Sequence, residues 1–290
     1  MSTDQSNGHT SAYRKGPAEY TTDILKVNTT PFKDKVISVS GASRGTGLAT
    51  VKYLLIRGAS VSLSSSSEKG INKALEEVIE ELPEHKDRVA AYKCDIRHLD
   101  EVEGWIAQTL ERFGKLDGCA NVAGKEQRKL FPMTDYDMDE FNEIMDVNVK
   151  GLFHLLRVQM KHIVDNGAIV NVNSVSGHYG APYYGAYAAS KFAARGISKG
   201  AAFEGAARGI RVNSIFPGTI NSEMQYQPFE LPGGATYTTS AATLPQFMKR
   251  YVEPEEVAAN IAHLLGPETR FVTKAEWFID GGWIEGSLTS

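Results

Sequence analysis

The chain has 290 residues, with 31 Lys and Arg against 35 Asp and Glu, a formal net charge of −4. Hydrophobic residues make up 42% and charged residues 23%, the balance of a globular chain, and the negative charge argues against a nucleic-acid binder or a protein drawn to anionic membranes. Two cysteines, Cys94 and Cys119, build no disulfide framework and fit a reducing compartment, and no apolar run reaches the roughly 18 residues of a membrane span.

Residues 1–29 are polar and lack the apolar stretch of a secretory signal, so they read as a solvated tail on a cytoplasmic protein. From there the pattern alternates. Val36 to Ser40 reads as a strand, followed by a glycine-rich turn and a helical period at Leu48, Val51, Leu54 and Leu55. Ala59 to Leu63 is a second strand, and Ile71 to Leu82 an amphipathic helix stopped by Pro83. Val89 to Lys93 is a strand, Leu99 to Phe113 a helix and Leu116 to Asn121 a fourth strand. Phe141 to Ile163 reads as one long helix, Ala168 to Val172 as a strand, Tyr184 to Ala207 as another long helix and Ile210 to Phe216 as a sixth strand. A helix over Glu255 to Leu265 and a strand over Ala275 to Ile279 close the series.

Strands that alternate with helices predict βαβ units, hence an α/β fold: one doubly wound, Rossmann-like parallel sheet in a single domain over residues 30–290. Residues 219–252 break the alternation with prolines, Gly233-Gly234 and scattered aromatics. A connection that long inside one domain is usually functional.

Chemistry concentrates at two places. Ser40-Gly41-Ala42-Ser43-Arg44-Gly45-Thr46-Gly47 lies between the first strand and the first helix. Glycines there let the backbone approach a pyrophosphate at a helix N-terminus. Tyr187 and Lys191 stand at i and i+4, on one face of a predicted helix. A tyrosine ordinarily titrates near 10, and a nearby ammonium is expected to lower that value. Tyr187 then exchanges a proton with a carbonyl or alcohol oxygen, and Ser174 holds the same oxygen by a hydrogen bond.

The spacing G-x-x-x-G-x-G over Gly41, Gly45 and Gly47 resembles the turn of the short-chain dehydrogenase/reductase family. Other family markers follow in order: Asn121-Val122-Ala123-Gly124, Asn148-Val149-Lys150-Gly151, Ser174 placed 13 residues before Tyr187, Tyr187-Ala188-Ala189-Ser190-Lys191, Pro217-Gly218 and Asp280-Gly281-Gly282. Ser40 stands where threonine is usual, and Val122 where a second asparagine is usual. The resemblance implies a catalytic tetrad of Asn148, Ser174, Tyr187 and Lys191. In it Asn148 holds a proton-relay water, and Lys191 also binds the nicotinamide ribose. It implies cofactor contacts from Gly41, Ser43, Arg44, Thr46, Gly47, Ser65, Ser66, Asp95, Ile96, Asn121, Ala123, Gly124, Tyr187, Lys191, Pro217, Gly218, Ile220 and Ser222, with Asp95 at the adenine.

At the end of the second strand the run Ser64-Ser65-Ser66-Ser67 lacks the acid that binds a ribose 2′-hydroxyl. With Arg44 able to pair with a 2′-phosphate, NADP(H) is favoured and NAD(H) stays open. His178, Tyr179, Tyr184 and Met224 are expected at the substrate, and no metal spacing emerges. The resemblance makes residues 219–252 a substrate lid, and the aromatics in it point to a hydrophobic ketone or alcohol, extending to polycyclic secondary metabolites, reduced or oxidised with Tyr187 as proton donor or acceptor. The family implies a homo-oligomer, dimer or tetramer, paired through the two long helices; Ala188, Ala189, Ala193, Ala194 and Gly196 would allow close packing. The competing reading keeps the fold and assigns a sensor or a non-redox cyclase or dehydratase; the complete tetrad favours redox chemistry.

Overall fold

The computed structural model describes residues 28–223 and 225–284. The expected tail therefore lies outside the described residues except for Asn28 and Thr29, as does Met224. Among the described residues the strands are β1 (Val36–Ser40), β2 (Ser60–Ser65), β3 (Val89–Lys93), β4 (Gly118–Asn121), β5 (Ala168–Val172), β6 (Arg211–Pro217), β7 (Phe229–Glu230), β8 (Thr236–Tyr237) and β9 (Glu276–Ile279). The helices are α1 (Gly45–Ile56), α2 (Glu68–Glu81), α3 (Leu99–Phe113), α4 (Met138–Met145), α5 (Leu152–His162), α6 (Gly185–Gly205) and α7 (Pro254–Leu265).

Seven strands form one parallel sheet in the order β3-β2-β1-β4-β5-β6-β9. The order reverses between β1 and β4, and the carboxyl ends of those two strands open a crevice at the switch point, where doubly wound sheets take ligands. Apolar residues of α1, α2 and α7 pack with Val39, Leu63, Val170 and Ile215 on one side of the sheet. Those of α3, α5 and α6 pack with Cys119, Ile169 and Val212 on the other. The α/β doubly wound architecture is thus the one the alternation predicts.

The serines of β1 and β2 do not mark a solvated face. Both strands are buried throughout save Ser60, and Ser62 is satisfied by Trp105 Nε1 at 2.9 Å and by Thr109 Oγ1 at 2.6 Å, both from α3. At Ser62 a small polar residue thus lets a helix sit close while its hydroxyl keeps a partner, whereas the buried hydroxyls of Ser38 and Ser64 have none.

Among the boundaries that differ from expectation, three have a local cause or consequence. β4 starts at Gly118 because Asp117 turns aside, its Oδ2 accepting from Val36 N at 2.9 Å and its Oδ1 from Lys35 Nζ at 3.0 Å. Pro83 begins a 3-10 turn over Pro83–Arg88, which Arg88 ties to Ala59 O at 2.6 Å and Leu55 O at 3.1 Å. The single helix expected over 141–163 is α4 and α5 joined by a π-turn, Asp146–Gly151. Such turns often occur at functional positions, and this one carries Asn148. It packs tightly: a Cβ on Gly151 would lie 2.7 Å from Ile96 Cδ1.

The segment over 219–252 is closed at its base, where Val252 N donates to Thr219 O at 3.0 Å and Asn221 N to Val252 O at 2.8 Å. It contains the antiparallel pair β7–β8, which sequence reading does not anticipate from two-residue strands. The loop after β4 is stitched to it: Leu130 N donates to Glu230 O and Glu230 N to Arg128 O, both at 2.8 Å. Cys94 and Cys119 are free and buried, and burial pushes both thiols up to about 12.

Candidate active site

The glycine turn makes the floor of a cavity of about 490 Å³ that runs from Arg44 to Tyr187 and Lys191. Gly41 has φ of +69°, and a Cβ there would lie 2.6 Å from the Ala123 backbone. On Gly47 a Cβ would meet Gly41 O at 2.2 Å. No side chain fits at either point, so the turn folds down between α1 and the loop after β4, and the α1 N-terminus faces the cavity. Ser43, Arg44, Thr46, Ala123, Gly124, Ile220 and Ser222 line the same space.

A second cavity of about 230 Å³ continues from it, sharing Gly41, Ser66, Ala123 and Gly124 and bounded by Ser65, Asp95 and Ile96. Together the two give a long groove, polar at the turn and walled by backbone, which suits a dinucleotide. Arg97 clamps Asp95 through Nε at 3.0 Å and Nη2 at 2.6 Å, and these bonds hold the carboxyl below its usual range against the opposing effect of burial. Ser65 Oγ donates to Ser43 Oγ at 3.2 Å. Arg44 is exposed and lies 3.4 Å from Glu223 Oε2, a pair that spans the groove from turn to lid.

Three expected cofactor residues lie elsewhere, and of these Gly218 borders the neighbouring cavity of about 320 Å³. The Asn121 side chain is buried in a network with Gln159, at 2.9 and 2.8 Å, and Asn171, at 2.9 Å. Pro217 is buried at the end of β6, paired with Ile279 of β9.

The tetrad gathers where the groove meets a third cavity of about 320 Å³, and Tyr187 lines both. α6 presents Tyr187 and Lys191 on one face, with Lys191 Nζ 5.5 Å from the Tyr187 ring centroid and 3.4 Å from Val172 O. Ser174 Oγ accepts from Ser176 N at 3.1 Å, which leaves its own proton to donate. Asn148 Oδ1 accepts from Lys125 N at 2.7 Å, while its Nδ2 donates to Lys125 O at 2.7 Å and to Ser190 Oγ at 3.0 Å. Its carboxamide therefore fastens the loop after β4 to α6.

The electrostatics correct one expectation. Tyr187 is not shifted down by the ammonium; burial pushes its hydroxyl well above the usual range, the charge of Glu126 adds to this, and Ser174 offsets part. Lys191 itself is brought down to about 8 by burial, with Glu126 opposing. At neutral pH the phenol is a proton donor in waiting.

The 320 Å³ cavity is walled by Tyr179, Tyr184, Phe229, Tyr237, Leu244 and Trp283, among others. Tyr179 and Tyr184 are thus where the sequence puts them. His178 is not: it packs edge-on against Phe216 and Phe278, with Nε2 at 3.3 Å from Glu276 Oε2, and it does not border the cavity. Burial, then Arg195, hold it below its usual range, hence neutral. Tyr183 is exposed and takes φ of +65°.

Lys125 to Arg128 follow Gly124 directly in the sequence. Glu126 borders both the groove and the third cavity. Gln127 is fully buried; its Oε1 accepts from Tyr187 N at 3.2 Å and its Nε2 donates to Tyr183 O at 2.6 Å, which satisfies an orphan amide in the first turn of α6. Trp283, 5.9 Å from the Tyr179 ring, is a wall contributed from beyond β9. Only the adjacency of Lys125–Arg128 to Gly124 signalled the first two, and nothing in the sequence signalled Trp283.

The family model described as enoyl-(acyl carrier protein) reductase matches residues 41–284. The short-chain dehydrogenase/reductase aba4 of Botryotinia fuckeliana is 38% identical over 255 residues, 87% of this chain and 98% of that protein. The 2,5-dichloro-2,5-cyclohexadiene-1,4-diol dehydrogenase of Sphingobium indicum is 33% identical over 253 residues, covering 86% and 96%. A blue fluorescent protein from a metagenomic library, solved in complex with NADPH, superposes with a TM-score of 0.76 at 29% identity, over 87% of this chain and 98% of that one. Among the described residues no helix is long and apolar enough to cross a membrane. With its ordered motifs, its switch-point groove and these relatives, the chain belongs to the short-chain dehydrogenase/reductase family of oxidoreductases.

Proposed function

We propose that the protein is an NADP(H)-dependent reductase of hydrophobic cyclic ketones, or the corresponding alcohol dehydrogenase, with Tyr187 as proton donor or acceptor. The observation that carries this reading is the meeting of the dinucleotide-shaped groove and the aromatic cavity at Tyr187. The glycine turn, Ser43, Thr46 and the α1 N-terminus would hold the pyrophosphate; Arg44, Ser65 and Ser66 the 2′-phosphate; Asp95 and Ile96 the adenine; Lys191 the ribose. A bound nicotinamide dinucleotide would supply or accept a hydride.

The chain's own work is on the substrate oxygen. Ser174 donates to it, and Tyr187, held protonated by burial, gives up its hydroxyl proton as negative charge develops there. Lys191 stands beside the phenolate so formed and stabilises it. Asn148 and Gln127 fix the loop and helix that carry these groups. Lid aromatics exclude water from the cavity. The cyclic diol named for the Sphingobium relative favours a ring substrate, and the NADPH complex of the structural neighbour favours the phosphorylated coenzyme. Ala189 and Gly196, with half-exposed Phe192, line the outer side of α6 and suit a homo-oligomer, while Ala188 and Ala194 are taken up inside the subunit.

The test is transfer of deuterium from C4-deuterated NADPH to 1-decalone and related cyclic ketones, read by mass spectrometry. One deuterium in the product, lost in Tyr187→Phe together with at least about a hundredfold in rate while NADPH still binds, is expected. Binding of NADPH without label in any ketone or, with NADP⁺, oxidation of any matching alcohol overturns the reading.

A further inference from the structure

The mechanism just given makes no use of the most unusual group in the cavity wall, the carboxyl of Glu126. We propose that Glu126 and Tyr184 form a second polar anchor beside Tyr187, which selects substrates carrying a hydroxyl group in addition to the carbonyl or carbinol that reacts. This rests on the reading that Tyr187 marks the reacting carbon.

Glu126 follows Gly124 by two residues and its side chain is 19% exposed. Tyr184 donates its hydroxyl proton to Glu126 Oε1, and Arg128 Nη2 donates to Oε2 at 2.8 Å. Arg128 is itself steadied over the Phe229 ring, 5.1 Å from its centroid. The Tyr184 ring lies 5.1 Å from the Tyr187 ring, so the pair sits next to the reacting end of the cavity and not at its rim.

The hydrogen-bond inventory fixes the ligand's chemistry. A carboxylate accepts about four hydrogen bonds and a tyrosine oxygen about two more. Two of the carboxylate's are used, and Tyr184 has spent its only proton on Glu126. What both groups still offer the cavity is acceptor capacity alone. A second ketone, ether or halogen brings no donor and leaves that capacity unmet; a hydroxyl brings one. Leu130, Val175, Phe229 and Trp283 supply the apolar part of the same wall, and a hydroxyl set against them would be buried unpaired. Burial raises the Glu126 carboxyl above its usual range, with Tyr184, Arg128 and Lys191 each pulling it down; an added donor would relieve the same strain. The loop has other ties in Asn148 and Gln127, so Glu126 is not its sole anchor.

The experiment measures binding, apart from turnover. Protein saturated with 1,4,5,6-tetrahydro-NADP, a coenzyme analogue that neither gives nor accepts a hydride, is titrated by calorimetry with 1-decalone and with its 4-, 5- and 6-hydroxy derivatives. At least one hydroxy compound should bind about tenfold to a hundredfold more tightly than 1-decalone, the range for a hydrogen bond to a charged group. The ratio should fall to within threefold in Glu126→Leu and shrink in Tyr184→Phe, each compared with its own affinity for 1-decalone. Because the ratio is internal to each variant, a general loss of folding does not imitate the result, and either variant alone suffices. Equal binding of all four ketones by the unaltered protein, or a preference that survives both substitutions, overturns the anchor. A preference that depends on Glu126, with no deuterium transfer in the preceding experiment, keeps the anchor and removes the reductase reading instead.

Discussion

Arg195, one helical turn past Lys191 on α6, donates two hydrogen bonds to Glu276 of the edge strand β9, at 2.6 and 2.9 Å. Lys199, a further turn along, reaches the same carboxylate at 2.5 Å. The helix that carries Tyr187 and Lys191 is thereby braced against the last strand of the sheet, and His178, four residues past Ser174, closes the cluster.

Acid should loosen this brace. Burial opposes ionisation of Glu276, but Arg195 and Lys199 outweigh it and bring the carboxyl down to about 2 from an ordinary 4.5. A depressed carboxyl contributes stability that is complete above its unfolded value and is lost as the pH falls from about 4.5 toward 2. Glu276→Gln should cost about 1–2 kcal/mol at pH 7, less than a fully buried pair because Arg195 and Lys199 are 28% and 41% exposed and screened by solvent. Its urea midpoint should approach that of the unaltered protein near pH 2, and equal midpoints at pH 7 would show that the brace contributes nothing.

Lys191 sets a basic limit on reduction. Its ammonium titrates near 8 because it is buried, so kcat/KM for ketone reduction should fall as the pH rises through that value. Lys191→Met should lower the rate at pH 7 by about a hundredfold and remove that limb. A profile in the unaltered protein that stays level to pH 10 would contradict the assignment.

Arg44 tests the coenzyme preference. Its contact with Glu223 joins two exposed side chains and is weak, so the guanidinium is available to a phosphate. Arg44→Ala should raise the Kd of NADPH about tenfold, the value of one charge-assisted hydrogen bond at an exposed site, and that of NADH by less than about twofold. Fluorescence titration of both nucleotides decides it; equal losses would assign Arg44 to the part the two share.

The buried amides between β4, β5 and α5 should matter for stability. Gln159 and Asn121 exchange reciprocal hydrogen bonds, and Asn171 passes the network to Ser198 at 2.9 Å. Gln159→Leu leaves Asn121 short of a donor and an acceptor, which should cost about 2–4 kcal/mol and lower Tm by several degrees. An unchanged Tm would mean that water replaces the lost partners.

Periodicity and glycine spacing carried the sheet, its helices and the tetrad, because backbone geometry leaves regular marks: Tyr187 and Lys191 share a face whatever surrounds them. Side-chain direction at strand ends leaves none. Asn121 and Pro217 lie at the right height in the sheet yet turn into the protein, and His178 turns toward β9. The Tyr187 shift was misjudged because one cationic neighbour is legible at i+4, whereas burial and Glu126, 61 residues earlier in the sequence, are products of the fold. The π-turn at Asn148 escaped for a related reason, since one extra residue in a helical turn barely disturbs an apolar period.

The two thiols amount to a pair of built-in clocks. Cys119 sits in the central strand β4 and Cys94 just past the edge strand β3, and neither ionises appreciably while enclosed. An alkylating reagent can therefore mark Cys94 when the sheet margin frays and Cys119 only when its middle opens. Trapping rates at the two positions would time peripheral and global opening separately, in one unmodified sample.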